Sequence, residues 1–95
     1  MSRPAADAQQ LIDDDRVRVT RFDFRPGAET GWHQHEMDYV ITALTDCRML
    51  LEEPEGQSRE VLVPAGSAYR RDRGVRHNVI NAGETPMSFI EVELK

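Results

Sequence analysis

Apolar and polar residues alternate along this chain in short runs with a period of two, the spacing of a strand rather than of a helix. Val17-Arg18-Val19 and Phe22-Asp23-Phe24 each alternate, and the change of parity between them predicts a bulge near Thr20 and Arg21. Further runs rich in β-branched and aromatic residues cover 32–35, 39–44, 47–53, 59–63, 67–70, 77–81 and 87–94. In the last of these, Ile90, Val92 and Leu94 occupy one face and Glu91 and Glu93 the other. Pro26-Gly27, Pro54-Glu55-Gly56, Pro64-Ala65-Gly66, Gly74 and Asn81-Ala82-Gly83 separate the runs as turns. About eight short strands with tight turns predict an all-β sandwich or small barrel. No helical stretches stand between the strands, which excludes a doubly wound parallel sheet. Helical pattern is confined to 5–14, where a turn or two is expected, although Asp13-Asp14-Asp15 puts negative charge at the unfavourable end of the helix dipole. Residues 1–14 are therefore read as a short N-terminal extension and 15–95 as the β-barrel of a single domain.

Composition narrows the class. Hydrophobic residues make up 39% of the 95 positions and charged ones 31%, the balance of a globular chain. No apolar run approaches the ~18 residues of a membrane helix, and the first residues lack the apolar stretch of a signal peptide, so neither membrane nor export is expected. A net charge of -5 argues against nucleic acid as a partner, since phosphate contacts need surplus Lys and Arg. Cys47 is the single cysteine, which forbids a disulfide within the chain and points to a reducing, cytoplasmic setting. A chain this short buries only about 60% of its unfolded surface, and pairing into a homodimer is expected to supplement that core.

The candidate chemistry lies in the only three histidines, His33, His35 and His77. Within a strand, His33 and His35 at i and i+2 project from the same face. His77 opens another strand and completes a three-nitrogen set if the two strands are neighbours. Neutral imidazoles bind Fe, Ni, Cu, Mn or Zn. An isolated His-x-His also recurs by chance, so the surrounding framework decides.

That framework resembles the cupin family. A Gly followed after five residues by His-x-His is matched by Gly27, His33 and His35. The second family motif is matched by Gly66, Gly74, His77 and Asn81, with Asp72 standing where the family has proline. The resemblance spans 27–81. It implies one cupin domain over 1–95, the RmlC-like jelly-roll barrel called a double-stranded β-helix. It also implies a divalent transition metal (Fe, Ni, Mn or Zn) held by His33, His35 and His77. The family usually adds a Glu after three or four further residues as fourth ligand, but those positions hold Tyr39 and Val40. Glu36 and Asp38 are close, yet have the wrong parity; a bulge after His35 would bring Asp38 back as a fourth ligand. Three-histidine sites occur among cupin dioxygenases. Small single-domain cupins with Gly-Trp-His-x-His-Glu and His-Asn-Val-Ile-Asn stretches are associated with β-alanine breakdown.

Other residues have two readings each. Tyr39 has the parity to face the metal and contact substrate. Tyr69 either serves as an acid beside the metal or fills the barrel wall. In Arg70-Arg71-Asp72-Arg73-Gly74-Val75-Arg76, the arginines form a solvated turn with Asp72 as counter-ion, or Arg71 supplies a fork for a substrate carboxylate. Trp32 reads as packing at a dimer face, and Cys47 as a small buried apolar residue. Two functions follow: a metal-dependent, dioxygenase-like enzyme acting on a small carboxylate-bearing molecule, or a non-catalytic module that binds such a ligand in the same pocket.

Overall fold

The alternating stretches do form strands, and their inward residues meet between two sheets. The computed structural model describes residues 2–95. In chain order the strands are β1 (Asp7–Asp13), β2 (Val17–Phe24), β3 (His33–Gln34), β4 (Asp38–Ala43) and β5 (Cys47–Glu53), followed by β6 (Gln57–Val63), β7 (Ala68–Arg71), β8 (Arg76–Asn81) and β9 (Met87–Leu94). A single 3-10 turn, Pro54–Gly56, links β5 to β6. One sheet has the order β1-β2-β9-β4-β7 and the other β3-β8-β5-β6, with every pairing between named strands antiparallel. This is the jelly-roll double-stranded β-helix. Phe24, Tyr39, Ile41, Met49, Val79 and Phe89 fill the space between the sheets. Rings of Phe22, Phe24 and Phe89 lie 5.3–6.3 Å apart in tilted contact, a favourable arrangement for aromatic packing.

Two expectations are corrected. Residues 5–14 hold no helix; they contain β1, which pairs along β2 as an edge strand with all of its residues exposed. With neither face buried, it lacks the alternation by which strands are recognised. The bulge falls in β1, between Gln10 and Ile12, and not at Thr20 and Arg21. β2 runs in unbroken register along β9, from Val17↔Leu94 to Phe24↔Met87. Its apolar parity changes because Val17 and Val19 lie on the outer face of the sheet while Phe22 and Phe24 point inward.

β9 carries the same inversion. Its outer face holds Ile90, Val92 and Leu94, and its inner face carries Met87, Phe89 and the buried Glu91. Among the described residues, no helix is long and apolar enough to cross a membrane.

Candidate metal centre

β3 and β8 lie side by side in the register His33↔His77, which sets these two imidazoles directly opposite each other. His35 follows β3 and is fixed by its backbone: its N–H donates to Val75 O (2.8 Å) and its carbonyl accepts from Gly74 N (2.8 Å). The Nε2 atom of His35 then lies 3.1 Å from Nε2 of His33 and 3.1 Å from Nε2 of His77. Two nitrogens 3.1 Å apart, each about 2.1 Å from one ion, subtend about 95° at it. The nitrogen set thus fits a single transition-metal ion with right-angled ligands.

A buried network orients the first ring. Gly31, at φ +88°, adopts a conformation open to glycine, and its carbonyl accepts the Nδ1–H of His33 at 2.8 Å. That leaves Nε2 of His33 as the lone-pair nitrogen facing the other two. Gly31 N in turn donates to Oδ1 of the fully buried Asn78 (3.0 Å), whose Nδ2 donates to Glu29 (2.8 Å) and Glu52 (3.0 Å). Arg3 reaches the same two carboxylates at 3.3 and 3.2 Å.

Burial keeps the His35 and His77 rings uncharged. His35 is lowered to about 4, chiefly by desolvation, with His33 and Arg71 adding repulsion. Desolvation, again followed by His33, lowers His77 to about 3. Both are neutral near pH 7, the form that binds metal without first losing a proton. Tyr39 stacks on His35, with centroids 3.7 Å apart and planes 17° from parallel. Desolvation raises the phenols of Tyr39 and Tyr69, so both remain protonated donors.

Among the described residues, three buried polar atoms have no hydrogen-bond partner: Tyr39 Oη, Arg71 Nη1 and His77 Nδ1. Tyr39 and Arg71 are directly cross-strand on β4 and β7. A carboxylate would satisfy both, and unsatisfied buried donors are otherwise costly.

The other candidates separate cleanly. Asp38 does not join the histidines: it is exposed, and its Oδ1 accepts Arg73 N at 2.8 Å. β3 ends at Gln34 and the chain bends at Glu36 and Met37 before entering β4 of the other sheet, a turn that leaves Asp38 outside the histidine set, and Glu36 is exposed as well. Tyr69 lines the same cavity as His33, His77 and Glu91 and also packs on the core, its hydroxyl 4.0 Å from Met49 Sδ. Of the arginine run only Arg71 is inward; Arg70, Arg73 and Arg76 are exposed, and Arg76 lies 5.2 Å over the exposed Trp32 ring. Asp72 makes no ion pair among the described residues. Cys47 is buried, and Asn81 closes its turn by accepting Gly83 N at 2.9 Å.

Glu91 is the residue that sequence reasoning missed. Its carboxylate lies 3.8 Å from His35 Nε2, and burial, followed by Glu93, raises it to about 7. With His35 neutral this contact is no ion pair but two desolvated groups side by side. The cavity bounded by Thr30, His33, Tyr39, His77 and Glu91 holds about 20 Å³, room for one water-sized ligand. A roomier groove of about 580 Å³, walled by Arg48, Leu62, Val63, Pro64 and Glu84, contains none of the histidines.

An antiparallel jelly-roll with inward-facing imidazoles on neighbouring strands defines a class of barrel proteins, and comparison with known proteins agrees. The cupin domain family matches residues 20–93, and the chain belongs to the cupin family. The β-alanine degradation protein BauB of Pseudomonas aeruginosa is 50% identical over 93 residues, covering 98% of this chain and 97% of the relative. A crystal structure of a cupin domain from Bordetella pertussis Tohama I is 48% identical, with a TM-score of 0.95 over 100% of this chain and 98% of that one. The polyketide cyclase RemF of Streptomyces resistomycificus is 28% identical, with a TM-score of 0.73 over 99% of this chain and 70% of its own.

Proposed function

We propose that this cupin is a metal-dependent enzyme, dioxygenase-like in its chemistry, acting on a small molecule that bears a carboxylate. The observation that carries the proposal is the pair of orphaned donors, Tyr39 Oη and Arg71 Nη1, buried in the same barrel as three converging imidazoles. His33, His35 and His77 would hold a divalent ion of the Fe, Ni, Mn or Zn type. When bound, it supplies a Lewis acid or an oxygen-binding centre shielded from bulk water. Arg71 and Tyr39 bind and orient the carboxylate, the guanidinium adding a charge-assisted hydrogen bond. Tyr69 keeps its proton and closes the wall beside them. The β-alanine degradation assigned by name to the relative BauB supports a small amino acid or its breakdown product as substrate.

A second reading, a non-catalytic module holding the same ligand, is favoured by the small cavity, which admits one functional group and not a whole substrate. One experiment separates the two. Purified protein is analysed for metal, and oxygen consumption by the Fe(II)-loaded form is followed with small carboxylates including β-alanine. The enzyme reading expects a bound ion, turnover that His77→Ala abolishes, and a ≥10-fold rise in KM for Arg71→Met, on the order expected for losing a charged hydrogen bond. Carboxylate binding that survives removal of the metal, with no turnover, would instead establish the second reading.

A homodimer in a reducing, cytoplasmic setting completes the proposal. Val19, Val40 and Val92 adjoin one another on the outer face of the five-stranded sheet and support pairing with a second copy.

A further inference from the structure

Glu91 is a buried acid with no cation against it. Thr20 and Ile41 flank it across β2 and β4, its side chain is 11% exposed, and among the described residues its carboxylate meets no Lys or Arg within ion-pair distance. Its neighbour Glu93 differs, because Arg18 lies 3.7 Å from the Glu93 carboxylate. A lone carboxylate withdrawn from water is costly unless something positive compensates it. The histidine cluster presents the complementary problem. Three neutral imidazoles bring no negative charge to a divalent ion sunk in the same barrel.

Geometry brings the two halves together. Glu91 Oε1 is 3.8 Å from His35 Nε2, the nitrogen common to both short contacts in the histidine cluster. Two ligands at right angles on one ion stand about 3 Å apart, so the carboxylate has to swing inward from its place beside His35 and Glu93 to join the three histidines. Asp38 and Glu36, the nearer carboxylates in sequence, point to solvent.

We propose that Glu91, reaching inward from β9, is the anionic ligand of the ion held by His33, His35 and His77. The proposal rests on the three-histidine reading above.

The test uses the full chain and Co(II), whose visible absorption reports its ligands. Glu91→Gln keeps the shape of the side chain and removes its charge. It is expected to weaken Co(II) binding at least about tenfold and to change the visible bands, whereas Glu93→Gln leaves both as in the unsubstituted protein. A second measurement needs no variant: on adding Zn(II) to 13C-labelled protein, the Glu91 carboxyl carbon shifts more than that of any other glutamate. Unchanged Co(II) affinity and spectrum in Glu91→Gln, or an unmoved Glu91 carbon in the zinc-loaded protein, overturns the proposal. Normal Co(II) binding by His77→Ala overturns the three-histidine reading, and this proposal with it.

Discussion

Replacing Asn78 by Ala tests how the site is held. The Asn78 side chain accepts from Gly31 N (3.0 Å) and donates to Glu29 and Glu52 (2.8 and 3.0 Å). Alanine leaves the Gly31 N–H buried without an acceptor, at about 1–3 kcal/mol. The two lost bonds to carboxylates add less than their usual worth, because Glu29 and Glu52 retain 26% and 29% side-chain exposure and can be hydrated. A total of about 3 kcal/mol is expected, or a fall in Tm of roughly 12–24 °C for a chain of this size. Gly31 also carries the carbonyl that orients His33, so freeing this turn should weaken metal binding about 10–100-fold. Urea unfolding of the metal-free protein measures the first effect, and competition with a chromophoric chelator the second. Asn78→Asp separates them: it keeps the acceptor for Gly31 N but sets a third carboxylate against Glu29 and Glu52. It should lose stability and keep its affinity for metal. A variant Asn78→Ala that loses under about 1 kcal/mol and binds metal normally would refute the reasoning.

Two further outcomes are expected. In metal-free protein the depressed His35 and His77 (about 4 and 3) make stability fall as pH drops below ~6.5, because the unfolded chain takes up protons that the fold refuses. Glu91, raised to about 7, works in the opposite sense, its contribution being lost as pH rises from ~4.5 to 7. Two histidines outweigh one carboxylate, so urea midpoints measured in chelator across pH 4.5–8 should peak near ~6.5; a midpoint that rises steadily down to pH 5 contradicts the assignment. Light scattering should give twice the chain mass, and Val92→Lys, at the centre of the outer sheet face, should halve it; a concentration-independent monomer mass for the unsubstituted protein refutes the dimer.

Most of the strand positions were legible because inward residues alternate with outward ones. β5 and β9 begin and end where the pattern does. The convergence of His33, His35 and His77 followed from i, i+2 spacing and family motif together, whereas Asp38, expected back at the site through a bulge, is exposed because the chain turns away after His35. β1 was hidden because a two-sided polar edge strand carries no periodic signal. Glu91 was hidden for a different reason. Alternation on β9 divides the residues between two faces but does not say which one the barrel turns inward, and here the acid shares the inner face with Phe89 and Met87. Arg71 could not be told from the solvated arginines beside it until its pairing with Tyr39 placed it inside.

The position of β9 also governs how the molecule assembles. It is wedged between β2 and β4, and its partner Val17 precedes Leu94 by 77 positions. Chains dominated by such distant pairings must surrender much conformational freedom before any contact rewards them, and they fold in about milliseconds to seconds rather than microseconds. Before closure only His33 and His35 are neighbours; His77 arrives with β8, and Glu91 with β9. If the proposed ion binds only the completed set, its uptake during refolding should keep pace with the slow zipping of the last strand.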